Sequence, residues 1–212
     1  MIKYIFSLLL IGFVQCQDCT SSDGTDGVYL WGECYSIENT TELDLGNSTM
    51  FGMGGEPLTG EIPSEIGLLT NLTSIRLFSN QLSGEIPSDI GNLTNLTYLS
   101  LFNNELTGEI PSELGNLINL NTLILSQNQL SGQIPIEFSN LTNMTFLEIV
   151  DNNLSGIIDD ALCDLNINFD GSSLRNNNFC PPYPDCINVN IFPQDCNDEI
   201  ICDETEVALW GW

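Results

Sequence analysis

The sequence predicts a solenoid, in which the chain winds into similar coils that stack on one another. The first observation is a repeat, because the string Leu-Thr-Gly-Glu-Ile-Pro at residues 106–111 recurs unchanged at 58–63 and in close copies from Leu82, Leu130 and Leu154, a constant step of 24. The second is an alternation of apolar residues within each repeat, and the third is an asparagine that returns at the same step. A unit of this size cannot bury its own apolar face and must stack on its neighbours.

One repeat shows the expected path of a coil. Leu99-Ser100-Leu101 alternates with a period of two, which predicts a short strand with both leucines inward and the serine outward. The other repeats place Ile75/Leu77, Leu123/Leu125 and Leu147/Ile149 at the same positions. Each buried Leu or Ile contributes roughly 1.5–3 kcal/mol relative to exposure. Stacked coils therefore predict one continuous apolar core.

The recurring asparagines lie two residues before each repeat leucine, at Asn80, Asn104, Asn128 and Asn152. A buried amide at a regular position needs a regular partner, so we expect a ladder of hydrogen bonds to the backbone. An unpaired buried group there would cost roughly 1–3 kcal/mol. The repeat glycines suit positive φ or close backbone approach, and the repeat prolines stop a strand from continuing. We expect these residues to build the coil and to contact no ligand.

The full pattern, L-x-x-L-x-L-x-x-N-x-L-[ST]-G-x-I-P, resembles the plant-type leucine-rich repeat. That family includes the ectodomains of plant receptor-like kinases and the polygalacturonase-inhibiting proteins. The resemblance implies an α/β solenoid: a right-handed superhelix with a parallel sheet on the concave side, and mostly loops, short strands and 3₁₀ turns on the back. One scaffold carries many ligands, so only ligand binding carries over, and signalling does not.

The segments flanking the repeats predict the domain organisation. Lys3 is followed by an apolar run too short to span a bilayer, which is typical of a secretory signal and predicts a secreted or cell-surface protein. In the first coil, Leu43–Leu45 and Phe51–Met53 both fit strands, which predicts an irregular insertion between them. Gln17-Asp18-Cys19 returns as Gln194-Asp195-Cys196, so the tail is either an acidic extension or the start of a second module. The expected segments are 1–16 signal peptide, 17–57 N-terminal cap and irregular first coil, 58–157 repeats, 158–193 last coil and Cys-rich cap, and 194–212 tail.

Eight cysteines in an exported chain indicate disulfides. Beyond the signal peptide the candidates are Cys19, Cys34, Cys163, Cys180, Cys186, Cys196 and Cys202. We expect Cys19 and Cys34 to fasten the N-terminal cap, and Cys163 to pair with Cys180 or Cys186. The chain has no histidine, and beyond the signal peptide it has no C-x-x-C pair, so neither a metal nor a cofactor is expected.

Charge limits the partners. The chain contains three Lys and Arg residues and 29 Asp and Glu residues, which gives a formal net charge of −26. This charge excludes nucleic-acid phosphate as a partner. Acidic residues fall into two columns, one at Glu61, Glu85 and Glu109 and the other at Glu65, Asp89, Glu113 and Glu137. We favour a solvated back face over a weak calcium site. N-glycosylation sequons begin at Asn39, Asn47, Asn71, Asn92, Asn95, Asn140, Asn143 and Asn153.

The outward strand positions on the concave side are the candidate ligand site. They include an unusual share of aromatic residues, and exposed aromatics on a rigid sheet are typical binding hot spots. Arg76 could meet an acidic ligand group or pair with a nearby carboxylate. The candidate residues are Arg76, Phe78, Tyr98, Phe102, Ile124, Phe146, Glu148 and Val150.

These observations favour a non-catalytic module that recognises a protein, peptide or glycan. The lack of histidine excludes Ser–His and Cys–His nucleophilic catalysis. The alternative is a surface-structural or adhesion array that is linked to a larger surface protein. Less favoured are a carboxylate-based glycosidase and ice binding, for which Thr73, Thr97 and Thr145 align but Asn121 interrupts them.

Overall fold

The computed structural model describes residues 18–47, 55–165, 167 and 172–187. It begins with an antiparallel sheet of β1 (Asp18–Thr20), β2 (Asp26–Leu30) and β3 (Glu33–Ser36), in the order β1-β2-β3. As the sequence predicts, a disulfide joins Cys19 to Cys34, with Cα atoms 6.0 Å apart. Val28 and Leu30 of β2 are buried in the main core, so this small sheet covers the first end of the solenoid.

The largest sheet has five parallel strands, one from each coil. They are β4 (Glu42–Asp44), β6 (Ser74–Arg76), β8 (Tyr98–Ser100), β10 (Thr122–Ile124) and β12 (Phe146–Glu148), in the spatial order β12-β10-β8-β6-β4. Their register places the central residues level with one another, namely Leu43, Ile75, Leu99, Leu123 and Leu147. All five are buried in one hydrophobic core. The residues on either side of them therefore point to the opposite surface, the sheet face.

The back of each coil carries a shorter strand and a 3₁₀ helix. The strands β5 (Thr59–Gly60), β7 (Gln81–Gly84) and β9 (Glu105–Leu106) form one parallel sheet, and β11 (Ser131–Gly132), β13 (Asn153–Gly156) and β14 (Asn178–Phe179) form another. The 3₁₀ helices span Ser64–Leu68, Ser88–Asn92, Ser112–Asn116, Ile136–Asn140, Asp160–Asp164 and Ser172–Leu174. A proline caps each of the first four, because it lacks the N–H that would extend the strand before it. The predicted fold class is confirmed.

The recurring asparagines are buried and fully hydrogen-bonded. Asn104 Nδ2 donates to the carbonyls of Leu77 at 2.9 Å and Leu101 at 3.0 Å, and its Oδ1 accepts from the N–H of Leu82 at 3.1 Å. Each amide thus ties its own coil to the coil before it. The same bonds are made by Asn80, Asn128, Asn152 and a fifth residue, Asn177.

The two ends depart from the regular step. Leu43 pairs directly with Ile75, so the first coil is longer than 24 residues, and Phe51–Met53, the second strand expected there, lies outside the described residues. At the other end Cys163 pairs with Cys186, with Cα atoms 5.6 Å apart.

The sequence left open whether Cys163 pairs with Cys180 or Cys186, and the structure shows Cys186, which is exposed beyond a turn. Cys180 follows β14 into the core, where it is buried and its Sγ donates to the carbonyl of Asn178. The segments 1–16 and 194–212, with Cys196 and Cys202, lie outside the described residues. Within the described ranges no helix has the length and hydrophobicity to cross a bilayer.

Candidate functional site

The sheet face consists of three columns of side chains that run along the stack of coils. The strand register and the backbone bonds that follow each strand define them. Neighbours in a column are about 4.8 Å apart, and columns are about 7 Å apart. The first column is Glu42, Ser74, Tyr98, Thr122 and Phe146; the second is Asp44, Arg76, Ser100, Ile124 and Glu148; the third is Gly46, Phe78, Phe102, Ser126 and Val150.

Ile124 lies at the centre of an apolar patch on this face. On the coil before it, Tyr98 and Phe102 lie on either side of the residue that pairs with Ile124. On the coil after it, Phe146 and Val150 lie on either side of the residue that pairs with Ile124. Each of these diagonal neighbours is about 8 Å away between Cα atoms, which lets large side chains meet. We call these five residues the Ile124 patch.

The exposure of the patch suits contact with another molecule. Phe146 is 45% exposed, and the other four side chains are partly exposed. Of the four residues between them, Ser100 and Ser126 are short and buried, whereas Thr122 and Glu148 are partly exposed and add a polar edge to the patch. Partly exposed apolar groups on a hydrogen-bonded sheet can be desolvated by a partner with little loss of side-chain freedom.

Arg76 is held by its neighbours at the N-terminal end of the face. Its Nη1 lies 3.9 Å from Glu42 Oε2 and 3.9 Å from Asp44 Oδ2, and its guanidinium stacks on the ring of Tyr98 with Cζ 4.8 Å from the centroid. Of the two roles that the sequence left open for Arg76, the structure shows the pairing with carboxylates. The stacking also orients Tyr98 at the edge of the Ile124 patch.

Phe78 lies apart from the patch. Its ring covers the backbone of Gly46, where an added Cβ would lie 2.4 Å from Phe78 Cε1, and this contact leaves Phe78 half-buried. In the third column, Phe78 therefore lies between Gly46 and Phe102. Glu148, level with Ile124, accepts a hydrogen bond from Ser126 Oγ at 3.1 Å, which turns its carboxylate towards the third column.

The sequence did not single out Glu42, Asp44 and Ser74 as site residues. Locating them requires the direct pairing of β4 with β6 across the irregular first coil. Ser74 lies level between Glu42 and Tyr98, it is buried, and its Oγ makes no hydrogen bond among the described residues.

The acidic columns on the back line an open groove beside the prolines and 3₁₀ helices. Among the described residues no group of three or more possible ligands is arranged to hold a metal ion.

Comparison with known proteins places this geometry in a family. The repeat profile described as Leucine Rich Repeat matches residues 71–93, 95–117 and 119–141. A chain of the BIR3–SERK2 complex from Arabidopsis thaliana is 34% identical with a TM-score of 0.58, and the match covers 82% of this chain and 87% of that one. A comparison with curated proteins found no significant match.

Two further solved structures are similar over part of their length. The ectodomain of the Arabidopsis thaliana receptor kinase GASSHO1/SCHENGEN3, in complex with CASPARIAN STRIP INTEGRITY FACTOR 2, is 44% identical with a TM-score of 0.56, and the match covers 58% of this chain but 15% of that one. A plant ice-binding protein is 28% identical with a TM-score of 0.50, covering 76% of this chain and 51% of that one.

Apart from the ice-binding protein, these similar structures come from plant membrane receptors, whose ectodomains are non-catalytic modules that bind peptides or partner proteins. With its repeats, its parallel sheet and this likeness over most of a related chain, the protein belongs to the leucine-rich repeat family.

Proposed function

We propose that this chain is an exported module that binds a protein or peptide through the Ile124 patch. The observation that carries the proposal is the convergence of Tyr98, Phe102, Phe146 and Val150 on Ile124, on a sheet whose coils are fixed to one another by the asparagine ladder. The complexes formed by the neighbouring receptors support the same class of partner. Secretion by the 1–16 segment and glycans on the exposed sequons belong to this proposal.

The proposal is tested by selecting binders from a random peptide library displayed on phage, with the purified chain as bait. Selected peptides are then measured against two variants. Ile124→Asp places a charge at the centre of the patch, and we expect the dissociation constant to rise at least tenfold. Ile118→Asp is the matched control, because Ile118 is 54% exposed and lies off the sheet face.

Retained affinity in Ile124→Asp, or equal losses in both variants, would place the binding surface elsewhere. Glycan binding is the finer alternative, and a glycan array read with the same two variants distinguishes it. An adhesion array would instead show self-association of the chain that Ile124→Asp leaves unchanged.

A second candidate, ice binding, is favoured by one uncharged surface beside the sheet. In four successive coils, three columns of outward residues beside the sheet contain only Thr, Asn and a single Ile, Ile118, and no charged residue. The third of these columns is Thr73, Thr97, Asn121 and Thr145. Their bonds to the preceding coil, such as Thr97 Oγ1 to the carbonyl of Thr73 at 2.9 Å, fix this array. Thermal hysteresis of the unglycosylated protein, lost in Thr97→Lys, would establish it, and freezing at the equilibrium point would exclude it.

A further inference from the structure

The sheet face has two chemically different ends, and this polarity indicates the kind of ligand it would hold. At the N-terminal end, Glu42 and Asp44 share the single guanidinium of Arg76, which leaves one formal negative charge in excess. Towards the C-terminal end lies the apolar Ile124 patch. The two ends are joined by Tyr98, which contacts Arg76 and belongs to the patch.

The acidic end has unused capacity for a cation. Both ion pairs are 3.9 Å long, and the side chains of Glu42 and Asp44 remain 65% and 59% exposed. Beside them, the buried Ser74 Oγ faces the same corner without a hydrogen bond from the described residues. A carboxylate accepts several hydrogen bonds, so an added ammonium or guanidinium group can be bound without displacing Arg76.

The distance between the ends sets a length. Three strand spacings separate β4 from β10, which is about 14 Å. An extended peptide covers roughly 3.3–3.6 Å per residue, so about four residues span that distance.

We propose that the ligand of this face is an extended peptide whose basic residue lies three to five positions from a large apolar residue. The apolar side chain covers Ile124, and the basic side chain reaches the exposed carboxylates of Glu42 and Asp44 beside Ser74. This inference rests on the function proposed above and specifies its ligand. The net charge of −26 agrees with it, since the field of the whole molecule attracts a cationic peptide and speeds its encounter.

The test uses fluorescently labelled peptides of Gly and Ser that carry one Trp and one Lys, with the separation varied from one to eight. Fluorescence anisotropy gives each dissociation constant at low salt. We expect the tightest binding at separations of three to five, by about two- to fivefold over the extremes, as an exposed charge contact provides. Replacing Lys by Glu at the best separation should weaken binding below the Gly and Ser peptide with Trp alone.

Two double variants locate the effect. Glu42→Gln with Asp44→Asn should flatten the dependence on separation and leave the affinity for the Trp-only peptide unchanged. Glu85→Gln with Glu109→Gln removes the same charge from the back and should keep the dependence. A flat profile in the wild type, or one that survives Glu42→Gln/Asp44→Asn, overturns this inference while patch binding stands. No binding by any peptide overturns both.

Discussion

At the scale of single residues, the buried asparagines show what a repeating sequence can predict. A polar residue that returns at a fixed step inside an apolar pattern must have a partner that returns with it, and the backbone of the neighbouring coil is that partner. The residue before each ladder asparagine was not predicted. Ser79, Asn103, Gln127, Asp151 and Asn176 all have φ of 53–55°. Asn103, Asp151 and Asn176 tolerate the left-handed region, but Ser79 and Gln127 do not favour it, so the signal is not uniform along the repeats. At Ser79 and Gln127 the coil geometry imposes this conformation at a cost of roughly 1–2 kcal/mol each.

Replacing Asn104 by Ala should lower the free energy of unfolding by about 2–4 kcal/mol. The change leaves the carbonyls of Leu77 and Leu101 and the N–H of Leu82 buried with fewer partners. Urea denaturation followed by circular dichroism measures the effect. Asn116→Ala is the control, since Asn116 is exposed, and equal losses in the two variants would contradict the role of the ladder.

The hydrogen bonds that Asp23 accepts predict that the N-terminal cap loses stability in acid. Hydrogen bonds from the Ser21 and Thr25 hydroxyls and from the Asn39 amide hold the pKa of Asp23 well below the ordinary aspartate value of 3.8. Because the pKa is lowered by folding, the stabilisation is present above pH 3.8 and is lost as the pH falls further. Asp23→Asn should therefore lower the Tm at pH 7 and change it less at pH 2. Asp26→Asn serves as the control, and a pH-independent difference for Asp23→Asn would refute this account.

At the scale of elements, the period of two and the step of 24 suffice to place Tyr98, Phe102, Ile124, Phe146 and Val150 on one outward surface. They could not give the exposure of each side chain. Phe78 and Phe102 are equivalent in sequence and both are partly exposed, but only the Phe78 ring covers a glycine of the preceding coil, Gly46, whereas the equivalent neighbour of Phe102 is Phe78 itself. The sequence did not predict the environment of Arg76 either. The carboxylates beside Arg76 belong to β4, and the insertion that separates β4 from β6 does not follow the repeat.

The 3₁₀ helices stack closely enough to require glycine. A Cβ on Gly91 would lie 2.5 Å from the carbonyl oxygen of Glu113 in the next coil. Gly91→Ala should therefore destabilise the protein by about 1–3 kcal/mol through overpacking. Gly55→Ala meets nothing within 4 Å and should have little effect in the same thermal denaturation. If Gly91→Ala were as stable as the wild type, neighbouring coils would be able to move apart at no energetic cost, which would contradict the close stacking.

At the scale of the whole molecule, stacking brings like charges together. Neighbouring acids in the column of Glu61, Glu85 and Glu109 repel by roughly 0.9 kcal/mol per pair at the dielectric of water, before salt screening, if coils are about 4.8 Å apart. The repeated core and the hydrogen-bonded ladder offset this repulsion. The charge keeps the chain soluble and favours cationic partners, and the fold does not depend on it.

Glu85→Gln should raise the Tm by about 2–4 °C at low salt, because it removes two repulsive neighbours. Glu105→Gln removes the same charge from a column whose neighbours are Gln81 and Gln129, so it should have a smaller effect. Differential scanning calorimetry at low salt and at 0.5 M NaCl checks both variants. The difference between them should vanish at high salt through screening, and a difference that persists would rule out column repulsion as its cause.

The most direct test of the central claim is a map of isoleucine methyl resonances when a selected peptide binds. In a protein with labelled isoleucine δ1 methyl groups, the claim predicts that Ile124 shows the largest change in chemical shift. Ile118, Ile136 and Ile157, exposed away from the sheet face, should show none. Changes confined to those three, with Ile124 unmoved, would contradict binding at the Ile124 patch.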